Sequence, residues 1–281
     1  MNIMKSATLT EEEIAQIRAA EALSLAAEGL ENEAFLSNEI NFDTTLPCFY
    51  RYYENGTLQA FLTTFMPSSD VAEIVAFTCP DARRKGYFTA LLRAAQQDLL
   101  AANIHKILFA IETKSKTGTA TLQSIANPVL ERSEYRMEHM GNGAINASAL
   151  AIQPVTHENI DIFAQLENEA FPNEEENENF MQTVLESPTR HGYLLYDGAD
   201  VVGAFNINIE TDAFLYGVVV REIYRGRGYG KALVQHALRL GLAQKEKLVL
   251  DVDSDNPAAF HLYQKCGFTI AFQVDYYSFA F

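Results

Sequence analysis

The chain has 281 residues, of which 48% are hydrophobic, and it carries a formal net charge of −16 at pH 7. This length favours two domains, and the hydrophobic share is ordinary for a chain that buries a core. The negative charge argues against non-specific binding to nucleic acid or to an anionic membrane, because both repel an acidic protein.

The first half opens with an amphipathic helix from about Glu11, for which Thr8 or Thr10 is the expected N-cap. The elements expected after it are strands near Pro47–Tyr53, Thr57–Met66 and Val71–Thr78, a helix at Tyr87–Ala102, a strand at Ile107–Glu112 and a weaker helix near Thr119–Ala126. A meander followed by a strand–helix–strand crossover predicts an α/β fold: a mixed, mainly antiparallel sheet with helices on both faces.

The second half repeats this order. The strands expected there lie near Ala147–Gln153, Tyr193–Tyr196, Val201–Asn208, Ala213–Val220 and Leu248–Val252. Short stretches also recur, most clearly Leu30–Phe35, which is identical letter for letter to Leu166–Phe171. Such repetition is typical of tandem units. The sequence therefore predicts two similar domains, residues 1–143 and 144–281, joined at the turn-rich stretch Met140–Gly143.

The repeated string LENEAF carries acidic residues as well as apolar ones. Its simplest interpretation is the end of an amphipathic helix, with Leu and Phe facing inward. A less favoured alternative is that Glu167 or Glu169 faces an amine substrate.

The most informative stretch runs from Leu215 to Lys231: a β-branched strand, a turn, the segment RGRGYGK and then a helix. Its glycines permit positive φ and let a ligand approach the backbone. The first N–H groups of a helix have no internal partner and the helix dipole adds positive charge, so such a loop suits phosphate. Arg225, Arg227 and Lys231 bring cations to this loop in an otherwise acidic chain.

The glycine spacing matches neither the dinucleotide pattern G-x-G-x-x-G nor the nucleotide pattern G-x-x-x-x-G-K-[ST]. It matches R-x-x-G-x-G from Arg225 to Gly230, preceded by V-x-x-x-Y-R from Val220. This stretch resembles the acyl-CoA pyrophosphate loop of the GNAT superfamily of acyl-CoA-dependent N-acyltransferases, here in a tandem two-domain form.

A second segment, Asp255 to Phe268, strengthens the resemblance. Asn256 and Pro257 are expected to begin a short helix as its N-cap and first residue. The pattern N-x-x-A-x-x-L-Y-x-K-x-G-F is similar to the GNAT segment that follows the pyrophosphate loop. In that family the tyrosine at the Tyr263 position commonly protonates the departing CoA thiolate.

The resemblance implies direct transfer of an acetyl group from acetyl-CoA to a primary amine, of a small molecule or a peptide, in one ternary complex. It implies Tyr263 as the catalytic acid and a backbone N–H near Val218 at the oxyanion. The residues that it implies in acetyl-CoA binding are Val218, Val219, Val220, Arg225, Gly226, Arg227, Gly228, Tyr229, Gly230, Lys231 and Asn256. The base stays open among Glu210, Asp212, Tyr216 and water.

The two halves differ at these chemical positions. Aligning Gly86 with Gly228 puts Phe88 in place of a loop glycine. Further along, the alignment puts Gln123 in place of Tyr263, and a carboxamide cannot donate a proton as a phenol can. The N-terminal domain is therefore expected to be non-catalytic, with a structural or substrate-shaping role, and whether it still binds CoA stays open. The C-terminal domain is expected to be catalytic.

Two alternatives to an N-acetyltransferase stay open: a non-catalytic acyl-CoA-binding or sensor protein, and a nucleotide-binding protein that uses the same glycine loop. Three cysteines without a C-x-x-C pair predict no metal site and favour a reducing cytoplasm. The N-terminus shows no apolar leader and no apolar run reaches membrane length. The identity of the acceptor amine and a homodimer stay open.

Overall fold

The computed structural model of the protein describes residues 2–125, 127–142, 148–170 and 178–279. These residues divide into two compact units. The N-terminal unit contains the residues up to Ser133 together with those from Val274 onward, and the C-terminal unit contains Glu134–Gln273. The predicted α/β class, with mixed sheets and flanking helices, is confirmed.

The elements of the first half are β1 (Ile3–Ser6), α1 (Glu11–Ala26), β2 (Phe49–Glu54), β3 (Thr57–Phe65), β4 (Val71–Thr78), α2 (Tyr87–Ala101), β5 (Lys106–Glu112), α3 (Lys116–Gln123) and β6 (Val129–His139). Those of the second half are β7 (Ala151–Pro154), α4 (Ile160–Ala170), α5 (Glu178–Glu186), β8 (Arg190–Asp197), β9 (Asp200–Ile209), β10 (Ala213–Val220), α6 (Tyr229–Leu242), β11 (Leu248–Asp253), α7 (Pro257–Lys265) and β12 (Thr269–Ser278).

The sheet of the N-terminal unit has the order β1-β2-β3-β4-β5-β12. Strands β4 and β5 are parallel, and the other neighbours are antiparallel. In the C-terminal unit the order is β6-β11-β10-β9-β8-β7, with β10 and β11 as the parallel pair. Each parallel pair is joined through a helix, as the crossover pattern predicts.

The division between the units differs from the predicted boundary at residue 143. Residues Glu134–His139 of β6 pair with β11, so they belong to the C-terminal unit. Residues Val274–Ser278 of β12 pair with β5, so the end of the chain completes the N-terminal sheet. Neither strand was predicted. Hydrogen bonding between strands distant in sequence decides both assignments, and Gly143 and Ala147, where a turn and a strand were expected, lie outside the described residues.

The start of α1 follows from local chemistry. The Thr10 hydroxyl accepts a hydrogen bond from the Glu13 N–H at 3.2 Å, and the Glu13 carboxylate accepts one from the Thr10 N–H at 2.9 Å. This reciprocal pair is a capping box. Of the two N-caps that the sequence allows, the structure therefore uses Thr10.

The two copies of LENEAF have different structures. Leu166–Ala170 forms the end of α4, whereas Leu30–Phe35 has no regular secondary structure. In the first copy Gly29, with φ of +68°, has already ended α1, and the Glu112 carboxylate then accepts hydrogen bonds from two backbone N–H groups of the string. The helix-end interpretation is therefore wrong for the first copy.

Candidate active site

Strand β10 carries a bulge in the middle of the predicted site. Its register against β9 shifts between Tyr216 and Val219, and Gly217 lies within the shift with φ of +58°. The parallel pairing of β10 with β11 covers only its N-terminal part, Ala213–Leu215. The main chain around Val218 therefore leaves the regular ladder, which is what a backbone N–H needs in order to meet a ligand.

The three valines at this point have different surroundings. The side chain of Val219 is buried with Phe163 and Leu166 of α4. Val218 and Val220 are half-buried and pack against the other core cluster of the unit, the one beneath α6. Any contact of these valines with a ligand would therefore come chiefly from their main-chain groups.

The loop between β10 and α6 opens onto solvent. A short 3-10 turn, Glu222–Tyr224, leads into it, and Gly226 and Gly228 take φ of +77° and +90°. A Cβ atom at either glycine would meet nothing within 4 Å. Gly228 is the N-cap of α6 and no side chain caps that helix. The first N–H groups of α6 are therefore available to an anion.

The cations of the loop are exposed. Arg225 donates from Nε to the carbonyl oxygen of Val220 at 3.2 Å, and the Arg227 guanidinium lies 5.6 Å from the centre of the Tyr224 ring. Lys231 is exposed in the first turn of α6. Across the described parts of the chain, none of the three basic side chains forms an ion pair. Their charge is therefore left for a ligand.

Two other residues of the loop, Tyr229 and Gly230, contribute to packing and hydrogen bonding within the C-terminal unit. The Tyr229 hydroxyl donates to Asp197 at the end of β8, and this hydrogen bond, with burial, raises the pKa of the tyrosine. A Cβ on Gly230 would lie 3.0 Å from Leu262 of α7. The absent side chain of Gly230 therefore lets α6 and α7 pack closely.

Helix α7 places Tyr263 in the core of the C-terminal unit. Asn256 begins the helix as predicted, since its Oδ1 accepts a hydrogen bond from the Ala259 N–H at 3.0 Å. Tyr263 is 7% exposed, and its ring centre lies 6.0 Å from that of Phe268. Burial, with a smaller contribution from Cys266, raises the pKa of Tyr263 to about 12, so the phenol keeps its proton at neutral pH.

The matching helix of the N-terminal unit has no such group. Ser115 caps α3 by accepting from the Gly118 N–H at 3.0 Å, as Asn256 caps α7. Counting from the two caps sets Leu122, not Gln123, opposite Tyr263. Leu122 is buried and apolar, so the sequence alignment was one residue out of register, although the N-terminal unit still lacks a phenol there.

The N-terminal unit contains a cavity of about 810 Å³ between β4, β5, α3 and the turn at Gly86. Phe77, Phe88 and Phe109 contribute to its lining. At its edge the Glu28 carboxylate accepts hydrogen bonds from the N–H (3.0 Å) and hydroxyl (2.6 Å) of Thr117. This cavity is thus partly aromatic and bordered by a carboxylate.

The bulge in β10 also has polar neighbours. Asn206 of β9 is fully buried and donates from Nδ2 to the Glu167 carboxylate at 3.2 Å. A Cβ on Gly217 would lie 2.6 Å from Asn206 Nδ2 and 3.2 Å from Glu167 Oε1. Sequence analysis did not single out Asn206. The alternation of asparagines in AFNINIE, which puts two amides on one strand face, was the available signal.

Of the bases suggested by the sequence, two carboxylates are engaged by other side chains, and Tyr216 lies at the bulge. Asp212 forms an ion pair with Lys247 at 3.2 Å. Glu210 accepts a hydrogen bond from Asn208 at 3.0 Å and lies 3.8 Å from Arg190. Tyr216 of β10 lies opposite Asn206 of β9, and its hydroxyl is buried.

Comparison with known proteins assigns the family. The sequence profile of the Acetyltransferase (GNAT) family matches residues 13–121 and 159–268, once in each half of the chain. The chain belongs to this family. The predictions of a tandem GNAT protein and of the acyltransferase class are thereby confirmed.

Two relatives and one solved structure show how far the similarity extends. The GNAT chain is 36% identical over 80 residues to the mycothiol acetyltransferase of Corynebacterium efficiens, a match that covers 27% of each protein. It is 28% identical over 209 residues to the mycothiol acetyltransferase of Corynebacterium glutamicum, with 68% of this chain and 70% of the relative covered. A tandem GNAT protein from the clavulanic acid biosynthesis pathway gives a TM-score of 0.72 at 15% identity, with 99% and 98% covered. Identity this low supports the fold alone.

The described residues contain neither a cluster of metal ligands nor a membrane-spanning helix. No group of three or more His, Cys, Asp or Glu side chains in this part of the chain is placed to hold a metal ion. Nor is any helix there long and apolar enough to cross a membrane.

Proposed function

We propose that this GNAT protein is an acetyl-CoA-dependent N-acetyltransferase whose C-terminal unit transfers the acetyl group directly to a primary amine. The loop before α6 carries the proposal. It combines two glycines of positive φ beside empty space, an uncapped helix N-terminus and three exposed cations. Together these groups suit the diphosphate of acetyl-CoA, which carries negative charge along a narrow chain.

The residues have distinct roles in this proposal. The N–H groups of Gly226, Gly228 and Gly230 would face the diphosphate, with Arg225, Arg227 and Lys231 around it. Acetyl-CoA supplies an activated thioester. The N–H of Val218, freed from the ladder by the bulge, would meet the oxygen of that thioester as negative charge develops on it.

Tyr263 would complete the transfer. A pKa of about 12 keeps its hydroxyl protonated at neutral pH, as a proton donor requires. Its ring is buried beside Phe268. From there it would protonate the departing thiolate and recover its proton from solvent.

Turnover with a panel of amines tests the proposal. Purified protein, acetyl-CoA and each amine are followed with a thiol reagent that reports CoA release, and mycothiol-type acceptors belong in the panel because of the relatives' name. Amine-dependent thiol release is expected. Tight CoA binding without turnover on any amine would instead favour the sensor alternative.

Thermal unfolding tests the ligand separately. Acetyl-CoA and CoA should raise the unfolding temperature, because a ligand that binds only the folded state stabilises it by mass action. Stronger stabilisation by ATP or NAD than by CoA would favour the nucleotide-binding alternative.

A further inference from the structure

Aromatic side chains lie side by side on one face of β10, directly before the bulge. Phe214 and Tyr216 are two residues apart in the strand, so they share a face, and their rings stack with centres 5.8 Å apart. Ala213 and Leu215 point to the opposite face, where they are buried in the core beneath α6. The two rings therefore lie on the face of the sheet that is turned away from α6.

Helix α5 adds a third ring to this face. Phe180 lies edge-on to Tyr216, with ring centres 6.3 Å apart and an angle of 67° between the ring planes. All three aromatic side chains are half-buried, and the Tyr216 hydroxyl is itself buried. A ligand at this place would therefore meet rings and not a hydroxyl group. We call Phe180, Phe214 and Tyr216 the aromatic face.

An ion pair borders the aromatic face on the side of β11. Asp251 of β11 accepts two hydrogen bonds from the Arg136 guanidinium of β6, at 2.5 and 2.9 Å. The guanidinium also lies 5.3 Å from the centre of the Phe214 ring. A guanidinium that is held by a carboxylate and stacked on a ring is fixed in its orientation. The charges of the pair offset each other, so this border is polar but brings no net charge of its own.

The aromatic face reaches the point at which the acetyl group would be transferred. Tyr216 immediately precedes Gly217 of the bulge, and the N–H of Val218 is proposed to meet the thioester oxygen. At about 3.3 Å per residue, Tyr216 lies about 7 Å from Val218 along the strand. An acceptor whose body covers the rings therefore needs only a short alkyl chain to bring its nitrogen to the thioester.

We infer that the aromatic face binds the body of the acceptor, and that the acceptor is a primary amine joined by a short alkyl chain to an aromatic ring. This inference rests on the proposed function and names its substrate class. Half-buried rings gain most from a partner that is flat and apolar, because stacked and edge-to-face contacts add to the burial of apolar surface. The formal charge of −16 also attracts a ligand that arrives as an ammonium ion.

An amino sugar fits the aromatic face less well. The hydroxyl groups on the edge of a sugar ring would lose water against apolar rings, and a buried hydroxyl group without a partner is costly. The pair of Arg136 and Asp251 lies at one border only, so it cannot receive hydroxyl groups from every side. A preference for an amino sugar is therefore an outcome that would contradict the inference.

Matched amines test the substrate class in the full-length protein. Phenethylamine and cyclohexylethylamine have the same alkyl chain and ammonium group, but only phenethylamine has a flat ring, and glucosamine represents the amino sugars. The kcat/KM of the wild type, measured by thiol release, should be highest for phenethylamine, with an advantage of about two- to tenfold over cyclohexylethylamine. Equal values for these two amines, or a higher value for glucosamine, would overturn the inference.

The variant Phe214→Leu removes one ring of the aromatic face and keeps an apolar side chain. It should raise the KM for phenethylamine until the advantage over cyclohexylethylamine is lost, while activity on cyclohexylethylamine changes little. Phe65→Leu, at the end of β3 in the N-terminal unit, is the matched control, because Phe65 is also half-buried and in contact with another ring. It should keep the wild-type preference. A preference that survives in Phe214→Leu would contradict the inference.

A binding measurement and a second variant keep the outcomes distinct. Thermal stabilisation by CoA must be unchanged in Phe214→Leu, which shows that the fold and the coenzyme site persist. If Phe214→Leu does not fold, Phe180→Leu makes the same test from α5, with the same expected loss of preference. Turnover on glucosamine alone defeats the inference and leaves the proposed function intact, whereas no turnover on any amine defeats the proposed function itself.

Discussion

The two glycine-led helices, α2 and α6, begin in nearly the same way. Gly86 and Gly228 are both N-caps, with φ of +85° and +90°. The tyrosine after each glycine donates a hydrogen bond to a carboxylate at the end of a hairpin strand, Glu54 of β2 in one unit and Asp197 of β8 in the other. The shared geometry is therefore a feature of the fold, and it does not by itself indicate a ligand.

The units differ in the groups that surround this geometry. Strand β4 pairs with β3 in continuous register, whereas β10 is bulged at Gly217; counted from the parallel pairs, Ala76 holds the matching place in β4. Near the N-terminal loop, Arg83 pairs with Glu28 at 3.1 Å and Lys85 approaches Glu54 at 3.9 Å. In the C-terminal loop, Arg225, Arg227 and Lys231 form no ion pair with the residues that the structure describes. Among the described residues, the bulge at Gly217 and the phenol of Tyr263 thus distinguish the C-terminal unit from the N-terminal one.

The largest effect is expected at the phenol. Tyr263→Phe should lower kcat about 10²- to 10³-fold with little change in CoA affinity, because it removes a proton donor and keeps the ring. Thiol-release kinetics and thermal shifts with CoA measure the two quantities. Tyr87→Phe, which removes a tyrosine hydroxyl from the N-terminal unit, is the matched control and should retain activity. An equal loss of kcat in both variants would contradict the assignment of catalysis to the C-terminal unit.

The second-largest effect is expected from a substitution in the bulge of β10. Gly217→Ala forces a positive φ on alanine and pushes a Cβ to 2.6 Å from a buried amide nitrogen. The free energy of unfolding should fall by about 2–4 kcal/mol. Val75→Ala in the regular strand β4 should cost about 1 kcal/mol, from lost burial alone. Urea unfolding of both variants measures the difference, and similar costs would mean that the bulge is not a special site.

The loop cations should show a smaller effect. Arg227→Glu replaces an exposed cation with a negative charge and should weaken CoA binding about tenfold at low salt, less at high ionic strength. Lys85→Glu in the other unit is the control and should leave this affinity unchanged. Calorimetry at two salt concentrations would settle it, and equal weakening by both would point to long-range charge rather than a local site.

The smallest effect is expected at Glu28. Burial alone would raise its pKa, but hydrogen bonds from Thr117 and the charge of Arg83 lower it below the ordinary value. A lowered folded-state pKa contributes stability above the unfolded pKa, near 4.3 for glutamate, and this is lost as the pH falls further. Glu28→Gln should therefore be less stable than the wild type at pH 7, by about 1 kcal/mol or less. The gap should shrink below about pH 4 in thermal unfolding experiments.

Much of the fold could be predicted from local patterns. The cap of α1, the hairpin turns and the crossover helices depend on residues close together in the chain, so their signals lie in short windows. Strands β6 and β12 were missed because each pairs with a strand distant in sequence. The sequence alignment set Gln123 against Tyr263, one residue out of register. The equivalent positions of α3 and α7 are counted from their N-caps, Ser115 and Asn256, which the structure shows.

The candidate site likewise combines features encoded by contiguous residues with features that depend on tertiary packing. The sequence by itself determined the glycine loop, the N-cap at Asn256 and the family, because each is encoded by contiguous residues of fixed chemical type. Only the tertiary structure decided that Glu167 and Asn206 meet at Gly217, since helix packing brings together residues of α4, β9 and β10. Likewise LENEAF became helix in one place and irregular chain in the other. The helix propensity of six residues is too weak to fix their secondary structure, so neighbouring caps and hydrogen bonds from distant residues determine it.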